Sequence, residues 1–346
     1  MNKPYFAIQW HITDVCDQRC QHCYIFSEGH PCLISMSYEE MIHTLNQIED
    51  LCEKMNRTPY IYLTGGDPIL HPKFWNLLEE FHSRKIRFCI MGNPFHLTNE
   101  VCKKMYDLGC VKYQLSLDGL EKTHDMFRKE GSFKTTIEKI QTIKNSGMWC
   151  AIMTTVSKVN YKEIPALIDL VASLNVDVYA FGRYCPTSKE KAYDENNHLT
   201  PLEYKNFLEE CWKKYETHKD SKTTFQLKDH LWTLFLYEKG YFKPNKDLNQ
   251  NTIVDGCNCG RNHITILPNG DIYACRRMES KVGNIHEDSL YDVFAGANMN
   301  EYRKYDSFVK CNKCELKAFC RGCPAVTYGY THNMYEADPQ CWKEIK

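Results

Sequence analysis

Three cysteines within eight residues restrict the fold of the N-terminal part of this chain more than any other feature. Cys16, Cys20 and Cys23 have C-x3-C-x2-C spacing and directly follow the apolar stretch 5–12, which is typical of a β-strand. Side chains at this spacing cannot share one face of a strand or helix, so we expect a loop around a metal centre. A [4Fe–4S] cluster takes one thiolate per iron, so three cysteines would leave one iron open. A zinc loop and incidental thiols are the alternatives.

Charge and composition exclude several classes of function. The 346 residues carry a net charge of −1, so no basic excess favours binding to nucleic acid. No apolar run reaches the roughly 18 residues of a membrane span, and the N-terminus lacks the features of a signal peptide. We therefore expect a cytoplasmic protein. In that compartment, 19 cysteines indicate metal binding or catalysis rather than disulfides.

Strand-like and helix-like segments alternate over the first 185 residues. Six strands are predicted, at 8–12, 60–63, 86–91, 111–117, 149–156 and 176–181. Helices are predicted between them at 41–51, 74–81, 98–108, 133–146 and 164–174, the first after a capping box at Ser37–Glu40. Six β/α units predict an α/β fold with a parallel sheet, arranged as an open, partial (β/α)6 TIM-like barrel. Ligand groups in such folds come from the carboxyl ends of the strands.

Polar or glycine-rich segments follow most of these strands. The second strand ends at Gly65-Gly66-Asp67, where paired glycines allow a ligand close to the backbone; a plain turn is the alternative. The fourth ends at Ser116-Leu-Asp118, with two polar side chains on one face. Segments 92–94 and 182–184 follow the third and sixth strands. They are predicted either to line the same mouth of the barrel, at the carboxyl ends of the strands, or to pack in the core or at the rim.

The remaining chain divides into a bridge and a cysteine-rich tail. Residues 186–255 are predicted as a bridging helical region, with a helix that begins at Thr200-Pro201. Alternating apolar residues around 268–271 predict a β-hairpin. Eight cysteines accompany it, namely Cys257, Cys259, Cys275, Cys311, Cys314, Cys320, Cys323 and Cys341. We therefore expect domains at 1–185, 186–255 and 256–346. Most of the scattered cysteines, from Cys32 to Cys211, are interpreted as small core residues or inert thiols.

The N-terminal motifs together resemble the radical S-adenosylmethionine (SAM) enzymes. The cysteine loop has their spacing, with His22 where they have an aromatic residue, and Gly65-Gly66-Asp67-Pro68 is similar to their GGEP motif. The resemblance implies that the open iron chelates SAM and that the cluster cleaves it to a 5′-deoxyadenosyl radical. It also implies that Gly65, Gly66 and Asp67 bind the SAM amino group. Further cofactor contacts are expected from the side chains Ser116, Asp118, Arg128 and Tyr24.

Those last four residues have separate expected roles. Ser116 and Asp118 would suit the ribose hydroxyls or the SAM carboxylate. Arg128 matches the family's carboxylate-binding arginine, for which a guanidinium fork is suited, with a surface arginine as the alternative. Tyr24 would pack on the adenine or belong to the core. His124 is interpreted as structural.

The tail resembles the SPASM extension of radical SAM enzymes that modify peptides. That extension carries two auxiliary [4Fe–4S] clusters, which gives three clusters in all and SAM as cofactors. The resemblance implies one cluster on Cys257, Cys259, Cys275 and Cys323, and the other on Cys311, Cys314, Cys320 and Cys341. Cys257 and Cys259 are close enough that one of them is a candidate spectator. Two structural zinc sites are the alternative, because four thiolates also suit zinc.

The resemblance implies a peptide- or protein-modifying enzyme, with a thioether crosslink in a ribosomally made peptide as the favoured reaction. Other candidates are formylglycine formation in a sulfatase, another peptide crosslink and epimerisation. Arg276 follows Cys275 where sulfatase-maturing relatives have an aspartate base, and arginine cannot act as a base, which disfavours the sulfatase role. No catalytic base or hydrogen donor is identified. A flavodoxin or ferredoxin would supply electrons, and any leader peptide would be recognised by a separate protein, by the bridging region or not at all. A non-catalytic zinc or iron–sulfur scaffold is the alternative from another class.

Overall fold

The structure is a computed structural model that describes residues 3–26, 32–186, 198–245, 247–248 and 252–345. The chain forms two compact units. The first unit consists of Met1–Ser116, His124–Ile152 and Cys259–Arg303. The second unit consists of Leu117–Thr123, Met153–Asn258 and Lys304–Lys346. The three predicted domain ranges remain a prediction.

The predicted alternation of strands and helices in the N-terminal half is confirmed. The strands are β1 (Tyr5–His11), β2 (Thr58–Thr64), β3 (Arg87–Met91), β4 (Cys110–Ser116), β5 (Trp149–Val156) and β6 (Val178–Arg183). The helices are α1 (Tyr38–Lys54), α2 (Phe74–Ser83), α3 (Asn99–Asp107), α4 (Glu121–Phe127), α5 (Ser132–Asn145) and α6 (Ile164–Ser173). β1, β2, β3 and β4 pair consecutively and in parallel. The α/β class follows, with its strand ends gathered on one edge of the sheet.

Strand β1 shows why this segment is central to the first unit. Phe6, Ile8 and Trp10 are fully buried on one face, as expected for a strand covered by helices. The other face carries polar Gln9 and His11. The polar face therefore lies on the side opposite the helix-packed core.

Helix α1 begins where the sequence predicts it. The Ser37 side chain accepts from the backbone N–H of Glu40, and the Glu40 carboxylate accepts from the N–H of Ser37. This reciprocal capping satisfies two N–H groups that the first turn of a helix leaves without partners.

The predicted C-terminal hairpin is confirmed and extends the sheet beside β1. β8 (His263–Ile266) pairs antiparallel with β9 (Asp271–Tyr273), which pairs with β10 (Lys281–Asn284), and Gly270 takes a positive φ of 81° in the turn. β8 also pairs in parallel with β1, with Ile8 opposite Ile264. The strand order β10-β9-β8-β1-β2-β3-β4 within the first unit places Cys275, directly beyond β9, in the same unit as the N-terminal cysteines. Two short helices follow in this unit, α9 (Leu290–Ala295) and α10 (Ala297–Asn300).

The second unit contains β6 and β7 (Thr224–Gln226), which pair in parallel. Its helices include α7 (Pro201–Thr217), α8 (Leu231–Glu238) and α11 (Pro324–Thr331). Helix α7 begins at the predicted Thr200, which forms a capping box with Glu203. Residues 188–197, whose polar sequence predicts a loop, lie outside the described residues. Within the described residues, no helix is long and apolar enough to cross a membrane.

Candidate functional site

The three N-terminal cysteines lie in one loop that begins after β1. Cys16, Cys20 and Cys23 are all half-buried. Burial raises the pKa of Cys16 and of Cys23, and repulsion from Cys20 and Cys16, respectively, raises them further. Three thiolates this close together are unfavourable without a cation between them, and a metal centre supplies that cation. The arrangement therefore fits the predicted cluster.

A hydrogen-bond network fastens this loop to the segment after β3. The Asn93 side-chain amide donates to Cys16 Sγ at 3.2 Å and to Asp17 Oδ1 at 2.8 Å. His96 Nε2 lies 3.1 Å from Asp17 Oδ2. Asn93, in the segment 92–94, thus contacts Cys16 directly, and a position of this segment at the ligand-binding end of the barrel remains a prediction.

The paired glycines after β2 are required by close packing against the start of the cluster loop. A Cβ atom on Gly65 would lie 2.3 Å from the Thr13 carbonyl oxygen, and one on Gly66 would lie 2.2 Å from that of Val15. The backbone N–H of Gly66 donates to Thr13 O at 2.7 Å, and that of Asp67 donates to Val15 O at 2.8 Å. Backbone thus meets backbone with no room for a side chain.

Asp67 is a buried carboxyl group that forms no ion pair with any of the residues that the structure describes. Neither oxygen has a hydrogen-bond partner of normal geometry among the described residues. Burial raises the pKa of Asp67 to about 7, repulsion from Asp17 adds to the shift, and the backbone N–H groups of Asn93 and Ile69 oppose it. A group that donates hydrogen bonds, such as an amino group, is the natural partner for such a carboxylate. Asp67 therefore fits the amino group of SAM, as the sequence predicts.

Arg128 lies against the cluster loop. Its Nη1 is 3.7 Å from Cys20 Sγ, and its Nη2 is 3.5 Å from His22 Nε2. Its positive charge also lowers the pKa of Cys23, against the larger effect of burial. At this position the charge of Arg128 stabilises the thiolate form of Cys23. The contact of Arg128 with the SAM carboxylate remains a prediction.

His124 has a structural role, as predicted. It is fully buried, and its Nε2 lies 3.1 Å from the hydroxyl of Ser132. The same hydroxyl accepts from Gln18 Nε2 at 3.2 Å. His124 therefore supports the cluster loop through Ser132.

The two polar residues beyond β4 have different surroundings. Ser116 ends β4 in the first unit and is half-buried. Asp118 belongs to the second unit, is fully buried, and accepts from the backbone N–H of Thr155 at 2.9 Å. Asp118 is thus engaged by the protein backbone, and contacts from either residue to SAM remain predictions.

Tyr24 lies between His11 and Arg276, two residues that the sequence did not single out as ligands. Its ring centroid is 5.9 Å from that of His11, and the Arg276 guanidinium carbon is 4.2 Å from the ring centroid. Packing of Tyr24 on adenine remains a prediction. The sequence signal for His11 was its position on the polar face of β1.

The second predicted auxiliary set lies entirely within the second unit. Burial raises the pKa of Cys311 to about 12, and repulsion from Cys341 and Cys314 contributes. Burial also raises the pKa of Cys320, with contributions from Cys311 and Cys341. These mutual charge effects indicate that the four thiols are neighbours, and their joint ligation of one cluster remains a prediction.

The first predicted auxiliary set has two members in each unit. Cys259 and Cys275, in the first unit, both lie near Tyr302 and raise its pKa together with burial. Cys257 and Cys323, in the second unit, both lie near His230; burial lowers its pKa, but a hydrogen bond to Cys257 and the charges of Cys257 and Cys323 raise it overall. Joint ligation by these four residues remains a prediction.

The scattered cysteines behave as expected for core residues. Seven of them are buried, namely Cys52, Cys89, Cys102, Cys110, Cys150, Cys185 and Cys211, and only Cys32 of this group is exposed. Burial raises the pKa of Cys52 to about 12 and that of Cys102 to about 11. Such thiols are inert at neutral pH.

Comparison with known families agrees with this geometry. Residues 10–171 match the radical SAM superfamily, and residues 257–324 match the SPASM iron–sulfur cluster-binding domain. The chain therefore contains a radical SAM domain followed by a SPASM domain. These domains imply iron–sulfur clusters and SAM as cofactors, and the residues around Cys16 and Asp67 fit both.

Two relatives that are similar over nearly the whole of this chain have different functional names. The chain is 26% identical to the AdoMet-dependent heme synthase of Methanosarcina barkeri, over 96% of this chain and 95% of that protein. It is 24% identical to the mycofactocin maturase MftC of Mycolicibacterium smegmatis, over 97% of this chain and 82% of that protein.

Solved structures of radical SAM maturases share the fold. SuiB of Streptococcus suis bound to S-adenosylmethionine superposes with a TM-score of 0.75 at 18% identity, over 99% of this chain and 78% of SuiB. The enzyme anSMEcpe with bound AdoMet also gives 0.75, at 17% identity, over 98% of this chain and 94% of that one. The predicted unclosed barrel with a C-terminal SPASM domain is therefore confirmed.

Proposed function

We propose that this radical SAM protein oxidises a side chain of an iron tetrapyrrole, as the name of its heme synthase relatives suggests. The sequence similarity to the Methanosarcina barkeri protein extends over nearly all of both chains, and this observation carries the proposal. The bound cluster and SAM would supply a 5′-deoxyadenosyl radical that removes one hydrogen atom. Asp67, Gly65 and Gly66 would hold SAM, and Cys16, Cys20 and Cys23 would hold the cluster.

The chemistry of haem defines the proposed reaction. Haem carries two propionates and two vinyl groups, whereas Fe-coproporphyrin III, named in another relative from the same organism, carries four propionates. A propionate becomes a vinyl group when it loses one hydrogen atom, carbon dioxide and one electron. The hydrogen atom would go to the 5′-deoxyadenosyl radical, and the electron would go to an auxiliary cluster held by the C-terminal cysteines.

Peptide modification is the second candidate, and the similarity to mycofactocin maturase over 97% of this chain favours it. Solved relatives also include SuiB bound to the precursor peptide SuiA and anSMEcpe bound to the Cp18Cys peptide. Under this proposal the favoured reaction is still a thioether crosslink in a ribosomally made peptide. A cytoplasmic flavodoxin or ferredoxin would supply electrons for either substrate, and a separate protein would recognise a leader peptide.

One anaerobic assay separates the two candidates. The reconstituted protein is incubated with SAM, a reductant and either Fe-coproporphyrin III or a cysteine-bearing peptide from a neighbouring reading frame. We expect 5′-deoxyadenosine together with a tetrapyrrole lighter by the mass of one or two formic acid units. Formation of 5′-deoxyadenosine with an unchanged tetrapyrrole, and a mass loss of two hydrogens in the peptide, would instead establish the peptide reaction.

The control for this assay replaces Cys16, Cys20 and Cys23 with Ala. This variant should form no 5′-deoxyadenosine with either substrate, because it lacks the thiolates for the first cluster. An unchanged rate in the variant would refute the assignment of the radical-generating site.

A further inference from the structure

Besides the Asp67 oxygens, two further polar atoms of the first unit are buried and lack a partner among the described residues: His11 Nδ1 and Arg276 Nε. His11 is only 1% exposed and lies on the polar face of β1. Burial lowers its pKa well below the ordinary value, and the charge of Arg276 adds to the effect. The imidazole is therefore neutral at pH 7, and it offers a hydrogen-bonding nitrogen rather than a second cation.

Tyr24 connects these two groups to both cysteine sites of the first unit. The guanidinium carbon of Arg276 lies 4.2 Å from the centroid of the Tyr24 ring. The centroid of the His11 ring lies 5.9 Å from the same point. Burial raises the pKa of Tyr24 to about 12; Arg276 opposes the shift, and the neighbouring Cys23 and Cys275 add to it. Tyr24 is thus close to a cysteine of the radical-generating loop and to the cysteine after β9.

The buried Nε–H of Arg276 needs an acceptor, because an unpaired buried donor is costly. The residue as a whole is half-buried. Asp14 is the carboxylate whose pKa Arg276 lowers, but burial has the larger, opposite effect there, and its Oδ2 accepts from the Ile34 N–H at 3.3 Å. A planar guanidinium recognises a carboxylate through two parallel hydrogen bonds.

We infer that Arg276, with His11 beside it, binds a carboxylate of the substrate between the radical-generating loop and Cys275. This inference rests on the proposed function, in which the carboxylate is a propionate of the tetrapyrrole. Arg276 acts here in recognition of the substrate, and no proton is removed by it. A carboxylate held next to Tyr24 would present its attached carbon chain to the mouth that Cys16, Cys20 and Cys23 border.

Binding of two forms of one tetrapyrrole tests the inference. Fe-coproporphyrin III and its tetramethyl ester are titrated into the reconstituted protein with SAM and without reductant, and binding is followed by the Soret absorbance. We expect the wild-type protein to bind the free acid at least tenfold more tightly than the ester. Arg276→Gln should lose this preference, and Arg276→Lys should retain part of it.

The matched control is Arg87→Gln, because Arg87 is exposed at the start of β3 and its side chain donates only to the Tyr5 hydroxyl, at 3.1 Å. This variant should bind both forms as the wild type does, and only variants with wild-type iron content and circular dichroism are compared. Equal binding of the free acid by wild type and Arg276→Gln would overturn the inference, and so would equal wild-type binding of acid and ester.

Turnover separates this inference from the proposed function. Arg276-dependent binding of the free acid without any new tetrapyrrole would support the carboxylate site and refute the tetrapyrrole reaction. Haem formation that is insensitive to Arg276→Gln would support the reaction and refute the site. Absence of binding by the free acid would refute both for this substrate. A carboxylate-bearing peptide that binds more tightly than its amide, and only when Arg276 is present, would assign the site to a peptide.

Discussion

At the scale of single residues, the raised pKa of Asp67 links the stability of the protein to the binding of its ligand. Burial and Asp17 raise its pKa from 3.8 to about 7, so the folded chain binds this proton more tightly than the unfolded chain does. Between about pH 4 and pH 7 this residue therefore makes the free energy of unfolding decrease as the pH rises. Hydrogen bonds donated by the amino group of bound SAM would lower the pKa again, since they favour the charged carboxylate.

We predict that Asp67→Asn changes the pH dependence of both stability and SAM binding. The difference in unfolding free energy between variant and wild type, measured without SAM, should shift in favour of the variant from pH 5 to pH 8, because only the wild type acquires a buried charge. SAM affinity should rise through pH 7 in the wild type and stay flat and weaker in the variant. Chemical denaturation and calorimetric titration measure the two quantities. Parallel pH profiles would contradict the role of Asp67.

At the scale of helices and strands, local sequence patterns predict where helices begin, but they do not predict which distant strands pair. The capping boxes at Ser37 and Thr200 place the starts of α1 and α7 correctly, because capping involves neighbours in the sequence. The pairing of β8 with β1 joins residues more than 250 positions apart, and no local pattern encodes it. The proximity of Arg276 to Tyr24 depends on that pairing, which explains why the sequence alone did not identify this pair.

The close backbone contact between Gly66, after β2, and the start of the cluster loop leads to a second prediction. Gly66→Ala would place a Cβ atom 2.2 Å from the Val15 carbonyl oxygen, and overpacking of this kind costs about 1–3 kcal/mol. The backbone of the loop must move, so we expect lower stability together with loss of iron from the first cluster. Iron content and denaturation are measured on the same preparation.

Gly240→Ala is the matched control for this change. Gly240 has a φ of 79°, but no atom lies within 4 Å of an added Cβ. The substitution should therefore cost about 1 kcal/mol through backbone strain alone and leave the iron content unchanged. Equal iron content in both variants would show that the cluster loop tolerates a side chain at position 66.

Strand β6 ends in a buried ion network of the second unit. The Arg183 guanidinium donates to Asp338 through two bonds of 2.7 and 2.8 Å, to Asp229 at 2.8 Å and to Gln340 at 2.8 Å. Burial alone would raise the pKa of Asp338, but Arg183 holds it below the ordinary value. Of the two roles considered for segment 182–184, Arg183 therefore has the core role.

We predict that Arg183→Met destabilises the protein by about 3–5 kcal/mol, because it leaves two buried carboxylates without their cation. Asp338 also accepts from the backbone N–H of Cys323 at 2.9 Å, so the disturbance should reach a predicted cluster ligand. Lys103→Met is the control, since its pair with Asp107 is exposed and worth less than about 1 kcal/mol. Similar denaturation midpoints for the two variants would contradict the proposed role of the network.

At the scale of the whole molecule, two of the three predicted cysteine sets each lie within a single unit. The radical-generating loop belongs to the first unit, and the set Cys311, Cys314, Cys320 and Cys341 belongs to the second. The second set has all its members in one unit, so its assembly does not depend on residues of the other. Loss of this set should therefore leave the first site able to bind its own iron.

Iron stoichiometry tests this independence. Three four-iron clusters predict about twelve irons per chain, and the variant Cys311→Ala/Cys314→Ala should contain about four fewer. It should keep the electron paramagnetic resonance signal of the first cluster and its change on addition of SAM, because Cys16, Cys20 and Cys23 remain. Formation of 5′-deoxyadenosine should persist, whereas product formation should fall, since an electron acceptor is lost.

Two outcomes would contradict these expectations. Zinc in place of iron in anaerobically prepared wild-type protein would refute the cluster assignment, and loss of all iron in the variant would refute the independence of the two sites.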